Sequence, residues 1–139
     1  MNRIVQGVTG NIGIYAVYDI LSLSQWHRGL VCLMGDAAHA VGPHMGQGAS
    51  LALEDAFVLA KCLRDISDPA TAFATFEGLR RERVERVLKQ SRQTGQQKAP
   101  TGWPSRKMRD LILLLFLRMG AQATEWMYRY QFDWEAKIG

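Results

Sequence analysis

Trp26-His27-Arg28-Gly29-Leu30-Val31-Cys32-Leu33-Met34-Gly35-Asp36-Ala37-Ala38-His39 leads into Pro43, then Gly46-Gln47-Gly48, then an apolar run closed by Lys61-Cys62. Leu30 to Met34 is continuously apolar, which predicts a strand covered on both faces. Gly35 ends that strand. Asp36 then falls at its C-terminal end, where open α/β sheets place their ligand crevices. Ala37 and Ala38 are small enough for a ligand or a neighbouring backbone to approach, and Gly42-Pro43 marks a turn.

Gly46-Gln47-Gly48-Ala49-Ser50 opens a helix that should run to about Asp65. Apart from Ser50, Glu54, Asp55, Lys61, Arg64 and Asp65 it is almost wholly apolar, so it is expected to be largely buried. Its first turn carries no acid, and two glycines leave its N–H groups uncovered. The helix dipole adds roughly half a positive charge at that end. A strand, an acidic corner, a glycine-rich loop and an open helix N-terminus together suit a polar, anionic ligand held by backbone groups.

On the N-terminal side, Gly7-Val8-Thr9-Gly10-Asn11-Ile12-Gly13 has the spacing of a dinucleotide loop. Only six residues precede it, too few for the strand such a loop requires. A turn between strands is the simpler reading, with Ile14 to Tyr18 as a β-prone segment. Asp19 to Gln25 then connects to Trp26, which packs over it.

On the C-terminal side, Asp68-Pro69 is an N-cap followed by proline at the first helical position. Phe73, Phe76, Leu79, Val84, Val87 and Leu88 fall at helical spacing, predicting an amphipathic helix to about Gln93. Thr94 to Ser105 carries Gly95, Pro100, Gly102 and Pro104 and reads as a loop. A third helix is expected from about Lys107 to Tyr130, docking through its apolar run and through Trp126, Met127 and Tyr130.

Composition sets the outer bounds. The chain has 139 residues, 47% hydrophobic and 22% charged, enough for one modest core or a piece of a larger one. No run of 18 apolar residues occurs, so no membrane association is expected. The first residues show no apolar secretory segment. Cys32 and Cys62 sit inside apolar runs and read as small buried hydrophobes, which fits a cytoplasmic protein without disulfides.

The net charge of +4 is concentrated, with ten Lys/Arg against two Glu between Arg80 and Arg109. Glu77/Arg81, Glu82/Arg86 and Glu85/Lys89 stand four apart, the spacing of a solvated helix face laced with ion pairs. No aromatic residue interleaves with that charge before Trp103, so a nucleic-acid platform is not expected. His39 and His44, with His27 and Cys32, lack the spacing of a metal-ligand set. Of Glu54 and Asp55, one is expected to pair locally and the other to face solvent. Cys62 reads as core rather than nucleophile. Met45 suits a ligand contact or a gap-filling loop methionine equally well. The aromatic segment from Tyr128 to Trp134 suits helix packing better than a substrate pocket.

Gly35-Asp36-Ala37-Ala38-His39, Pro43, Gly46-Gln47-Gly48 and Glu54-Asp55-Ala56 resemble the C-terminal flavin motif of the class A FAD-dependent monooxygenases. These are aromatic-ring hydroxylases built like para-hydroxybenzoate hydroxylase. Trp26 to Gly29 resembles the lead-in to the motif. The resemblance implies an α/β FAD-binding fold of the glutathione-reductase-like type, of which this chain would be a mostly α portion with a few strands near its N-terminus. One partial domain is expected: 1–34 strands leading to the flavin motif, 35–66 FAD-binding loop and helix, 67–139 C-terminal helices.

The resemblance also implies site roles. Gly35 and Ala37 flank Asp36, which would accept hydrogen bonds from the cofactor's ribityl chain. Pro43 would lie near the flavin ring. Gly46, Gln47, Gly48 and Ala49 would form the loop meeting the ring's pyrimidine edge. Ser50 stands where the family often has asparagine, and His39 would be structural or cofactor-adjacent. No catalytic side chain is implied. The family uses FAD, NAD(P)H and O2 to hydroxylate a small organic substrate.

The family's N-terminal GxGxxG unit and middle motif have no counterpart here. The chain is therefore expected to be a fragment, or to need a complementing partner, and exposed apolar surface would favour self-association. A catalytically inactive interaction module derived from the same fold is the other reading.

Overall fold

The computed structural model describes residues 13, 15–96 and 125–138. All of the Gly7–Gly13 pattern except Gly13, the loop around Pro100 and Pro104 and most of the expected third helix lie outside the described residues. Strands β1 (His27–Arg28) and β2 (Val31–Cys32) form an antiparallel hairpin closed at Gly29-Leu30. Helix α1 (Asp36–His39) is a single turn, followed by a 3-10 turn at Pro43–Met45. Helices α2 (Gly48–Asp65) and α3 (Pro69–Gly95) form the body. Residues 125–128 are helical, and the chain then continues to 138 without regular structure, bending at 134–136.

The α2–α3 pair carries the core. Leu51, Asp55, Val58 and Cys62 are the buried positions of α2, one stripe at helical spacing. Helix α3 buries Ala72, Phe73, Phe76, Arg80, Val84, Val87, Leu88 and Ser91. Trp26 closes the cluster from the hairpin side, with its ring 6.0 Å from Phe76, and Met127 joins it from the C-terminal segment. Asp68 caps α3 as its sequence position predicts, its Oδ2 accepting from the Thr71 N–H at 2.9 Å with Pro69 following.

Several expectations are corrected. Residues 15–18 are neither helix nor strand, and Tyr15, Val17 and Tyr18 are exposed. β-propensity without a neighbouring strand does not make a sheet. The Leu30–Met34 run holds only the two-residue β2. Leu30 is 80% exposed and Val31 64%, so the strand is not covered on both faces. Helix α2 is buried on one stripe only: Leu53 and Phe57 stand 66% and 53% exposed. Leu79 is exposed because Arg80 takes the inward position beside it. Of the three pairs expected along α3, Glu77–Arg81 forms, and Arg81 also reaches Glu85.

The C-terminal segment is strapped to the end of α2. Lys61 donates to the Asp133 carbonyl, and Arg64 Nη1 donates to the Trp134 carbonyl at 2.7 Å. The Ile138 N–H donates to Asp65 Oδ2 at 2.9 Å. Phe57 stacks on Phe132 with centroids 5.9 Å apart, and Tyr130 meets Phe132 edge-on at 4.7 Å. The Arg64 guanidinium lies 4.7 Å over the Trp134 ring. Among the described residues no helix is long and apolar enough to cross a membrane.

Arg64 first, then the Ile138 N–H, holds the Asp65 carboxyl down at about 2. A depressed carboxylate stabilises above its ordinary value of 3.8 and stops doing so as pH falls through the folded value. The strap should therefore loosen between pH 4 and pH 2. The protection factor of the Ile138 amide, taken against its intrinsic exchange rate, should fall across that window, and Asp65→Asn should lower it already at neutral pH.

Candidate functional site

Residues 35–52 fold into a cleft. Met34, Gly35, Asp36, Val41, Pro43, Gly46, Gly48, Ala49 and Ala52 line it, and its volume is about 590 Å³. That lies within the roughly 300–1,000 Å³ typical of small-molecule sites. One wall is the α1 turn bearing Asp36, whose carboxylate is exposed. The floor is the 3-10 turn from Pro43, which ends at Gly46 in a left-handed conformation with φ +64°. That conformation favours glycine, and a Cβ there would meet no atom within 4 Å, so the backbone lies open.

The opposite wall is the start of α2. Gln47 precedes it without a side-chain cap, and its first turn holds no acid. The N–H groups of Gly48, Ala49 and Ser50 have no intrahelical acceptor, because an α-helix leaves its first donors unpaired. A Cβ built on Gly48 would stand 3.8 Å from Asp36 Oδ1 and 3.4 Å from Val41. Glycine at 48 thus keeps the space between the carboxylate and the open helix end. One carboxylate and a row of backbone donors face a common space, suiting a ligand with hydroxyls beside a polar, electron-rich edge.

Of the residues singled out in the sequence, Gly35, Asp36, Pro43, Gly46, Gly48 and Ala49 come together on this cleft. Ala37 and Ser50 are exposed beside it. Gln47 is buried, with its Nε2 3.5 Å from the Met45 carbonyl. His39 is buried and its ring is turned into the protein, 5.2 Å from Trp26. Met45 is half-buried against the core rather than lining the cleft.

Behind the cleft lies a charged network. Asp55 is fully buried. Its Oδ2 accepts from the Gly35 N–H at 2.9 Å and from His39 Nε2 at 2.5 Å. A carboxylate partner requires the proton on that ring nitrogen. Asp55 Oδ1 accepts from Arg80 Nε at 2.8 Å. Arg80, also fully buried, donates through Nη2 to Glu54 Oε2 at 2.7 Å. Arg83 grips both Glu54 oxygens at 2.6 and 2.7 Å and donates to the Met127 carbonyl at 3.0 Å. Burial raises the Asp55 carboxyl, but hydrogen bonds from His39, Gly35 and Arg80 outweigh it and hold the group below its ordinary value.

The expected split between Glu54 and Asp55 is therefore corrected: both are paired, with Arg80 and Arg83 of α3 as the cations and with Gly35 and His39 at the α1 turn also bonded to Asp55. A usable signal was present, because Asp55 and Arg80 each occupy a core position of their helix stripe. Burial pushes the thiols of Cys32 and Cys62 above their ordinary values; Cys62 is a buried core residue as expected, whereas Cys32 is only half-buried against the core. A second groove of about 300 Å³, lined by Leu79, Glu82, Arg83, Arg86, Trp126 and Tyr130, contains none of the motif residues.

Residues 18–91 match the family model described as FAD binding domain. The 3-amino-4-hydroxybenzoate 2-monooxygenase of Streptomyces platensis is 35% identical over 118 residues, which is 84% of this chain and 29% of that protein. Salicylate hydroxylase of Pseudomonas putida is 41% identical over 87 residues, 60% of this chain and 20% of that one. The crystal structure of Klebsiella pneumoniae HpxO complexed with FAD and uric acid superposes with a TM-score of 0.52 at 39% identity. It covers 55% of this chain and 20% of that one. The chain thus spans less than a third of the length of these relatives.

Removing Arg80 leaves two carboxylates on α2 without their shared cation. Arg80→Met should lower unfolding stability by about 3–5 kcal/mol in urea titrations. Arg80→Lys should recover only part of the loss, because a point charge cannot bridge Asp55 and Glu54 as the guanidinium does.

Proposed function

The chain belongs to the FAD binding domain family, and from that premise we propose that it is the FAD-binding C-terminal portion of a flavoprotein monooxygenase. The single observation that carries the reading is the juxtaposition of the Asp36 carboxylate with the uncapped N-terminus of α2 across Gly46 and Gly48.

The residues present fit the cofactor. Asp36 is placed to accept hydrogen bonds from the hydroxyls of a sugar-alcohol chain. The backbone N–H groups from Gly46 to Ala49 would hold the polar edge of the flavin ring, with Pro43 against the ring. Donors fixed at that edge favour the negative charge it takes on reduction, an electrostatic contribution that needs no reorganisation. Gly35, Ala37, His39, Gln47 and Ser50 act around this contact by shaping the loop. The chemistry supplied when FAD is bound is hydride acceptance from NAD(P)H and use of O2 to hydroxylate a small aromatic or related substrate.

Salicylate hydroxylase and the aminohydroxybenzoate monooxygenase act, by their names, on small aromatic acids, which favours that substrate class. The same reading assigns the full fold to the glutathione-reductase-like type. It divides this chain at 34/35 and 66/67 into lead-in, FAD loop with helix, and C-terminal helices. Free Cys32 and Cys62 suit a cytoplasmic setting. The exposed face of α2, with Leu53, Phe57 and Leu63, is the surface through which copies of this chain would associate.

Titration of the chain with FAD should give weak but saturable quenching of flavin fluorescence. Asp36→Ala should weaken binding about tenfold, and Gly48→Val should obstruct it by filling the cleft, both with little change in unfolding midpoint. Flavin emission unchanged at every protein concentration would refute the assignment.

A further inference from the structure

We propose that Asp55 is a positioning residue for the cleft: its carboxylate fixes the Gly35 turn and helix α1, and so sets where the Asp36 carboxylate stands. The inference rests on the FAD reading only for the identity of the ligand.

Asp55 does not line the cleft. One of its oxygens nevertheless takes donors from both ends of α1: the N–H of Gly35, just before it, and the ring of His39, its last residue. Helix α1 is a single turn without a side-chain cap. Such a turn is too short to hold itself by its own hydrogen bonds. Gly35 adopts φ +56°, ψ −140°, a conformation that a free glycine visits among many others. Something outside the turn must select it, and the Asp55 carboxylate is the group bonded to both ends.

The second oxygen fixes the carboxylate itself. Arg80 holds Oδ1 at 2.8 Å and is tied to Glu54. The α1 turn is thus referenced to the α2–α3 interface. Packing alone does not account for a charge here, since apolar residues of similar volume stabilise a core as well as a buried ion pair does. What an apolar side chain cannot do is accept the Gly35 N–H and orient His39.

Asp55→Asn tests this by amide exchange followed by NMR, without flavin. Exchange at Gly35 and His39 should accelerate about tenfold or more, the scale of a lost charged hydrogen bond, relative to Val84 and Val87 of the core. Equal acceleration everywhere, or retained protection at Gly35 and His39, would overturn the proposal.

A double-mutant cycle supplies the second readout. Asp55→Asn should raise the FAD dissociation constant about tenfold in the wild-type background but less than about threefold in Asp36→Ala, because it acts through Asp36. Full additivity would overturn the proposal. A wild-type chain that does not bind FAD would sink the cofactor reading, and the exchange data alone would then decide the role of Asp55. Should Asp55→Asn fail to fold with Arg80 uncompensated, Asp55→Asn/Arg80→Met removes both charges and is measured in the same way.

Discussion

A carboxylate cut off from water must have its oxygens satisfied by fixed donors or give up its charge. Asp55 keeps its charge because three donors from three parts of the chain converge on it: the Gly35 backbone, the His39 ring and the Arg80 guanidinium. That demand makes the rest of the arrangement necessary. It places α3 so that Arg80 faces α2, and it turns His39 inward under Trp26. It also fixes the backbone just before Asp36. Glu54 and Arg83 continue the pairing outward to Met127, so the C-terminal segment joins the same bonded chain. The core residues Phe76, Val84, Val87 and Leu88 supply the bulk of the burial, but they do not by themselves specify where the cleft wall stands.

The local chemistry of the cleft was legible in the sequence because it is written in backbone terms. Proline at 43, glycine at 46 and 48 and the acid-free first turn dictate an open turn and an uncapped helix whatever surrounds them. The caps and ends of α2 and α3 were legible for the same reason. His39 was not. A histidine in a small-residue loop looks like a ligand contact until its partner is known, and Asp55 lies sixteen residues away on another helix. The Arg80 link was hidden by a cation-rich helix face on which a solvated role is the ordinary expectation. Only its register with Phe73, Phe76, Val84 and Val87 marks it as inward.

Apolar patterning misled where it assumed neighbours. Leu30, Val31, Leu53 and Phe57 have the composition of buried positions, and all four are exposed among the described residues. Hydrophobicity records what a segment can bury against, and that requires a second surface. The relatives aligned to this chain are about three times its length. The strap of residues 132–138 shows how partial cover works: Phe132 stacks on Phe57 and still leaves about half of that ring in water.

The contrast between the two acidic groups at the site follows from their surroundings. Asp36 stands in the open with no bonded cation among the described residues, so its hydrogen-bonding capacity is available to a ligand. Asp55, nineteen residues on, has its capacity consumed within the protein. Had the two environments been exchanged, the exposed group would gain nothing from Arg80 and the buried one would be left without donors. The fold separates a carboxylate that binds from a carboxylate that holds. It does so with one glycine turn, in which the Gly35 N–H faces inward to Asp55 while the next side chain faces the cleft.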